Sequence, residues 1–496
     1  MRIIHRKNTI INSIFMKVID FIRIISILLA IVGLTFIIPI IVALFYAEYS
    51  VISSFAIPMA AGILLFMIFF FPFRNRKINL STRSTFVVVA GAWIFASLMG
   101  ALPLYYSGCG ISWTNAFFES VSGFTTTGAT VIDDVEALPK AVNMWRCMTH
   151  WLGGMGIVTL TVALLPLLGV GGFQLIKAET TGPEKGKVTA KITTTAKALW
   201  IIYLSFTIVE AILLKIFGMD WFDSFAHAFS TLGTGGFSTR NASIAAFDSA
   251  AIDVTITVFM FLAGINFSLF YYLFTRKTEE ITSNSEFKSY VGFFIFLVIA
   301  TALCLLPKYP NFFTALRYSS FQIASLTSTT GFGTSDFTLW PVPAQLFCFM
   351  VFFVGGSSGS TSGGVKVVRW VILFKQAGNE IRRMLHPHGI FTVRLNGKPG
   401  RKDVVFNVAA FFFVYLLLVV LTTFIGCFGN LDLWSSFTGA LSMVGNVGPG
   451  FGQLGPSNTY SFLPSFLKWW YCFAMLAGRL ELYTMLIFFV PAYWKK

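Results

Sequence analysis

SGFTTTGAT (122–130), STLGTGGFS (230–238), TSTTGFG (327–333) and MVGNVGPG (443–450) align without gaps around Gly128, Gly236, Gly331 and Gly448. Internal repeats settle an architecture before any single motif does. The residues leading into the glycines match too. Trp113 and Trp221 each lie fifteen positions before theirs, and Phe117, Phe225 and Phe437 each lie eleven before. These aromatic stretches fall well short of the roughly 20 residues needed to cross about 30 Å of hydrocarbon. Each reads as a half-length helix whose carbonyl end, with partial negative charge, points at the turn. After the turns a second motif recurs as WLGGMG (151–156), FLAGIN (261–266), FVGGSS (353–358) and MLAGRL (475–480), with Gly154, Gly264, Gly356 and Gly478 in register. The repeating unit is span, half-helix, extended turn, span.

Composition agrees. Of 496 residues, 56% are hydrophobic and 11% charged, where a soluble chain carries about a quarter charged residues. The 56 phenylalanines suit lipid-facing and helix-packing surfaces. The chain falls in the membrane class. Ten apolar segments are long enough to span, near 21–46, 54–73, 84–105, 143–168, 196–217, 252–275, 289–307, 344–372, 404–427 and 465–491. The stretch from about Ile24 to Phe45 is too long for the apolar core of a signal peptide and reads as the first span. The expected fold is an all-α polytopic membrane protein. A two-span unit (1–78) precedes four repeats around a pseudo-fourfold pore, at 79–180, 181–283, 284–400 and 401–496.

The net charge of +15 is spread in a way that argues against nucleic-acid binding. Arg2, Arg6, Lys7 and Lys17 come first, then Arg74, Arg76, Lys77 and Arg83. Lys177, Lys185, Lys187, Lys191 and Lys197 follow, then Arg276, Lys277 and Lys288. The longest loop carries Lys375, Arg382, Arg383, Arg394, Lys398, Arg401 and Lys402, and Lys495 and Lys496 come last. With ten spans, all of these lie on one side, which the positive-inside rule makes the cytoplasm. Both termini are then cytoplasmic. The short segments inside the repeats face outward, and the first carries Glu119, Asp133, Asp134 and Glu136. The scattered Cys109, Cys147, Cys304, Cys348, Cys427 and Cys472 form no C-x-x-C pair, so neither a zinc site nor a redox motif is visible.

Non-helical backbone inside a bilayer is tolerated only where it lines a water-filled pathway or is buried in protein. Four such turns about one axis give rings of carbonyl oxygens, which replace the hydration shell of a monovalent cation. Glycine is required because inward-pointing carbonyls need dihedrals that a Cβ disfavours. Threonine adds hydroxyl oxygens. No Asp or Glu lies inside any turn, whereas a divalent-selective filter would carry a carboxylate ring.

The four turns, together with GGSSGSTSGGVK (355–366) and AGRLE (477–481), resemble the Trk/Ktr/HKT superfamily of potassium uptake proteins. The likeness covers nearly the whole chain, and the extra pair of spans before the first repeat resembles the TrkH/TrkG branch. The resemblance implies potassium sites at Thr125, Thr126, Thr127 and Gly128; at Gly233, Thr234, Gly235 and Gly236; at Ser328, Thr329, Thr330 and Gly331; and at Gly445, Asn446, Val447 and Gly448. The fourth turn lacks threonine, so the filter is expected to be asymmetric and to pass rubidium. The transported ion is the only cofactor expected. The resemblance also implies a homodimer with one pore per subunit and a separate cytosolic nucleotide-binding regulatory ring of the TrkA kind. The basic segments 172–198 and 374–402 would be its docking surface.

Gly355, Gly356, Ser357, Ser358, Gly359, Ser360, Thr361, Ser362, Gly363 and Gly364 form an unbroken run of Gly, Ser and Thr. At about 1 kcal/mol per glycine such a run does not hold a helix, so the span must break there. A loop at that depth would obstruct the cavity beneath the filter, and the family likeness implies an intramembrane gate at this place. A kink for close packing is the milder reading. Lys366 ends the loop, as part of the gate or as an interfacial anchor. Arg479 is an intramembrane arginine and hence a functional candidate. It is expected under the filter, hydrogen-bonded to loop carbonyls as an electrostatic barrier, with snorkelling to a lipid headgroup as the alternative.

His150 reads as an interfacial residue near the outer mouth rather than a proton relay, and His227 as packing rather than metal-binding. Asp220 and Asp223 favour the positive N-terminus of their half-helix. Glu210, midspan, is either a proton-coupling group or a hydrogen-bonded carboxyl. Gly450-x-Gly452-x-x-Gly455 follows no strand and fails the context of a dinucleotide site, and Gly182-Pro-Glu-Lys-Gly-Lys lacks phosphate-loop spacing. A hydrolase built on Ser357, Ser358 or Ser360 lacks a base, so no enzyme is expected. A proton- or sodium-coupled potassium symporter on broken helices is the remaining rival. Four repeats in one orientation favour a channel-like axis over rocking halves.

Overall fold

The computed structural model describes residues 2–75, 82–156, 192–399 and 402–494. Most of the basic segment expected at 172–198, the second half of the span expected at 143–168, and Arg76, Lys77, Arg401, Lys495 and Lys496 lie outside them.

The described chain is helical apart from a pair of two-residue antiparallel strands, β1 (Arg394–Leu395) and β2 (Lys398–Pro399). Among the described residues, six helices are long and apolar enough to cross a membrane: Val18–Phe45, Tyr49–Phe73, Arg83–Tyr106, Ala196–Ile216, Ser285–Leu305 and Val404–Phe428. Each coincides with an expected span. Three of the other four expected spans, 252–275, 344–372 and 465–491, are not straight, and all four share a position. Each is the second helix of a repeat. The first of them, Lys140–Gly154, is followed by residues outside the described set. Ala250–Ala263 turns by 94° into Phe267–Phe274, and Ser465–Arg479 turns by 118° into Tyr483–Phe489. The helix Val342–Val351 stops and resumes only at Val367–Leu385.

The cause lies in the motif that follows each turn. At 264–266 the helix meets Gly264 and then Asn266, whose side chain caps the next helix by accepting from the Ser268 N–H at 2.9 Å. At 480–482, Glu481 and Leu482 take left-handed φ values of 58° and 53°, which no helix accommodates. Continuous spans over 252–275 and 465–491 therefore give way to broken ones.

Between the paired helices lie four half-length ones: Trp113–Phe124, Trp221–Gly233, Phe312–Thr327 and Leu433–Gly445. All four begin with a side-chain N-cap. Ser112, Asp220, Asn311 and Asp432 accept from the N–H groups of Asn115, Asp223, Thr314 and Ser435. Such caps are worth about 1 kcal/mol each.

Helix association in lipid lacks the hydrophobic drive it has in water, so close packing and interhelical hydrogen bonds must supply it. Ser120 donates to Ser97 O, and Ser319 to Val298 O, both at 2.7 Å. A Cβ added at Gly62 would lie 2.8 Å from Leu29 O, and one at Gly100 2.6 Å from the Phe124 ring. Trp145 joins the two-helix N-terminal unit to the first repeat. It is fully buried, donates to Gly100 O at 3.0 Å, and meets Phe36 edge-on with ring centroids 4.6 Å apart. Replacing it, Trp145→Ala, is expected to cost about 3–5 kcal/mol, read as a lowered thermal midpoint of the detergent-solubilised protein.

Candidate functional site

Each half-length helix ends in the same way. Thr126, Thr234, Thr329 and Asn446 occupy the left-handed region, with φ of 55°, 55°, 58° and 54°. Their N–H groups donate back to Gly123, Thr231, Leu326 and Met443. The following residues, Thr127, Gly235, Thr330 and Val447, donate to the carbonyls of Ser122, Ser230, Ser325 and Ser442 at 2.8–2.9 Å. This pair of bonds is the Schellman stop, which satisfies the last carbonyls of a helix. A β-branched residue in the left-handed region is strained, at about 1–3 kcal/mol. Three of the four positions nonetheless hold threonine. The fourth holds asparagine, which tolerates that conformation. The missing threonine of the fourth turn is thus an exchange at one geometric position.

The chain then reaches Gly128, Gly236, Gly331 and Gly448, at φ of 78°, 76°, 87° and 100°. Here the turns meet. A Cβ at Gly128 would lie 1.9 Å from Gly235 O, and one at Gly236 2.1 Å from Thr330 O. At Gly331 it would lie 2.5 Å from Val447 O, and at Gly448 2.5 Å from Thr127 O. In every case the carbonyl belongs to the residue just before the glycine of the next turn. The sequence of contacts runs first to second, second to third, third to fourth and fourth to first, so the four turns close into one ring. Any residue other than glycine would push a methyl group into a neighbour's carbonyl.

The hydroxyls brace this ring. Thr125 donates to Val121 O at 2.7 Å and sits 2.8 Å from the Thr127 hydroxyl, while the Ser328 and Thr330 hydroxyls are 2.6 Å apart. Asn446 Nδ2 donates to the Thr127 hydroxyl and to Met475 O, both at 2.9 Å, tying the fourth turn to the first. Behind the first turn Glu119 accepts from Arg146 at 2.8 Å, from the Val131 N–H at 2.9 Å and from the Thr130 hydroxyl at 2.9 Å. Arg146 also lies over the Phe237 ring at 4.4 Å, beside the second turn. Glu119, expected as part of an outward acidic segment, is instead buried in an ion pair.

His150 is corrected as well. It lies near the C-terminal end of the helix Lys140–Gly154, is fully buried, and its ring packs 4.1 Å from that of Phe237. His227 contacts Asp223 O at 2.7 Å and the Ser238 hydroxyl at 2.9 Å, within the protein.

Directly against the ring lies the non-helical stretch 352–366. Its two ends pair with each other, Gly355 N to Val365 O at 2.9 Å and Val367 N to Gly356 O at 3.2 Å. The Gly363 N–H donates to the Thr329 hydroxyl at 2.7 Å, and a Cβ at Gly363 would come within 2.5 Å of Gly445 O. The stretch therefore touches the third and fourth turns at once. Ser357 N donates to Gly264 O at 2.8 Å, Phe267 N to Gly359 O at 3.1 Å, and the Thr361 hydroxyl to Ala263 O at 3.2 Å, all at the break of the second repeat. Lys366 is buried and donates to Ser362 O. Arg479 donates to Thr361 O at 2.8 Å, to Gly153 O at 2.6 Å and to Gly154 O at 3.2 Å. Through this one arginine the broken ends of the first, third and fourth repeats are joined.

Three groups here escaped the sequence reading. Glu286 accepts from the N–H groups of Ser358 and Val368, Arg369 pairs with Glu481, and Asn266 caps the second break. Each carries an ordinary polar side chain with no repeat partner to mark it. The serine six residues before each of the four turn glycines is a pattern visible in the sequence.

Residues 51–317 and 308–496 match the family model described as TrkH, Cation transport protein. The chain is 38% identical over 481 residues to the Trk system potassium uptake protein TrkH of Halomonas elongata, covering 96% of this chain and 98% of that one. It is 36% identical over 484 residues to TrkH of Escherichia coli K12, covering 96% and 99%, and 34% identical over 474 residues to the Trk system potassium uptake protein TrkG of the same strain, covering 92% and 94%. The crystal structure of the potassium transporter TrkH from Vibrio parahaemolyticus matches with a TM-score of 0.84 at 35% identity, over 96% of this chain and 99% of that one. These relatives are transport proteins and not enzymes, and this multi-pass membrane chain belongs to the TrkH family of cation transport proteins.

Proposed function

We propose that this chain takes up potassium across the cytoplasmic membrane, with its termini in the cytoplasm, through a filter made of Thr125–Gly128, Gly233–Gly236, Ser328–Gly331 and Gly445–Gly448. The closed ring of glycine–carbonyl contacts carries this reading. It leaves backbone oxygens as the coordinating groups, the ligand set that replaces the hydration of a monovalent cation. Four helix C-termini converge on the ring and add partial negative charge without a carboxylate. The relatives named as potassium uptake proteins agree.

The stretch 352–366 is the gate in this proposal. It sits against two filter turns, and Arg479 and Lys366 put positive charge beside its carbonyls. A cation leaving the filter would meet that charge. A cytosolic nucleotide-binding ring would act on the gate by docking at the basic segments 172–198 and 374–402, and two copies of the chain would form a dimer with one pore each.

Two substitutions test the filter and the barrier. Gly128→Ser drives a Cβ into Gly235 O and is expected to lower potassium over sodium preference at least about tenfold. Uptake by a potassium-auxotrophic cell and the reversal potential of reconstituted protein read it, and unchanged uptake and selectivity would sink the filter assignment. Arg479→Gln is expected to raise potassium flux about tenfold, the effect of removing one charge from a constriction. Unaltered flux removes the barrier. In proteoliposomes bearing potassium and pH gradients, the reversal potential is expected to follow potassium alone. A shift with pH would favour coupled symport, with buried Glu210 the first carboxyl to examine.

A further inference from the structure

We infer that Glu286 is the positioning residue of the loop 352–366, tying Ser358 within it to the start of the helix that follows, and that the β1–β2 hairpin acts on it through Ser285. The inference rests on the reading of that loop as the gate.

One oxygen of Glu286 accepts from the Ser358 N–H at 2.6 Å and from the Val368 N–H at 3.1 Å. Ser358 lies in the Gly/Ser run and Val368 in the first turn of the helix that follows it, so a single buried carboxylate ties the loop to that helix. Backbone N–H groups released by a helix break must find an acceptor, and a carboxylate is a stronger one than a neutral oxygen. The loop is thereby referred to the first turn of the helix Ser285–Leu305, and not only to its own ends.

Ser285, the neighbour of Glu286, is clamped from the opposite direction. Its N–H donates to Asn396 Oδ1 at 2.8 Å, and the Asn396 N–H donates back to its hydroxyl at 3.4 Å. Asn396 is at the tip of the hairpin, with φ of 49°, between β1 and β2. A second contact runs in parallel. Leu395 and Val393 of the hairpin segment are buried in one apolar cluster with Val368 and Ile372. Hence the hairpin grips both the residue beside the carboxylate and a residue the carboxylate holds. The hairpin lies within the basic region 374–402, so a partner that moves it has a direct mechanical route to the loop.

The experiment records single-channel open probability of the full chain in planar bilayers, without any partner. Glu286→Ala is expected to raise open probability at least about tenfold, the shift from losing one hydrogen bond to a charged group. Glu286→Gln keeps an acceptor oxygen without its charge and is expected to raise it about threefold; it carries the test if the alanine chain fails to insert. Asn396→Gly keeps the left-handed turn, removes the clamp, and is expected to raise open probability about threefold on the same scale. Combined with Glu286→Ala it should add nothing, because both act through one element. Unitary conductance and ion selectivity stay as in the parent, which a damaged filter would not allow. Unchanged open probability in both Glu286 variants overturns the proposal, as does a changed unitary conductance. Independent, additive effects of Asn396→Gly and Glu286→Ala overturn the hairpin half. A chain lacking residues 360–362 separates the two readings. If that deletion raises open probability while the Glu286 variants do not, the gate stands and its positioning residue is wrong. If the deletion also leaves it unchanged, the gate reading itself fails.

Discussion

Backbone that leaves the helix inside a bilayer finds no water to bond with, and everything distinctive about this chain follows from meeting that constraint four times. The N–H groups at each turn are taken up by the Schellman bonds to Ser122, Ser230, Ser325 and Ser442. The carbonyls just before the four glycines meet at the ring. With the donors satisfied locally, those acceptors are the groups that serve as the coordination site in the proposed filter. The threonines forced into the left-handed region store strain that surrounding contacts must hold in place. The ion pair of Glu119 with Arg146 and the bridge from Asn446 to Thr127 are among the contacts that do so.

The same constraint acts on the second helix of each repeat. The described parts of these helices pack against the half-length helices and the turns, and glycines there let main chains approach. A Cβ at Gly153 would lie 1.9 Å from Phe124 O, and one at Gly478 2.1 Å from Val444 O. The glycines that permit that approach also weaken the helix. The breaks at 264–266, 352–366 and 480–482 therefore accompany close packing against the ring of turns. Among the described breaks, that of the third repeat is the longest, and it reaches the second, third and fourth repeats together.

Periodic features were legible in the sequence. The register of the four glycines, the half-length helices and six uninterrupted spans all follow from spacing and hydropathy, which act over many residues and tolerate local error. The bends at Gly264 and Glu481 were not legible, because hydropathy averages over a window longer than the break. Glu286 and the Arg369–Glu481 pair were hidden for a different reason. Their partners lie about a hundred positions away or are backbone groups, and neither leaves a pattern in composition. His150 was misplaced because a polar residue next to Trp151 looks like a membrane-surface anchor until the helix is seen to run from Lys140 inward.

Because the ring is drawn from one polypeptide and not from four copies, each quadrant can be altered without altering the others. A channel assembled from identical subunits receives any change in its filter fourfold, so intermediate designs are out of its reach. Here Asn446 stands alone in its position, anchored to Thr127 on one side and Met475 on the other, while three threonines keep theirs. In the proposed filter, selection can therefore grade the aperture in quarter steps. The fourfold arrangement of the turns is retained as a shape, without being enforced as a symmetry.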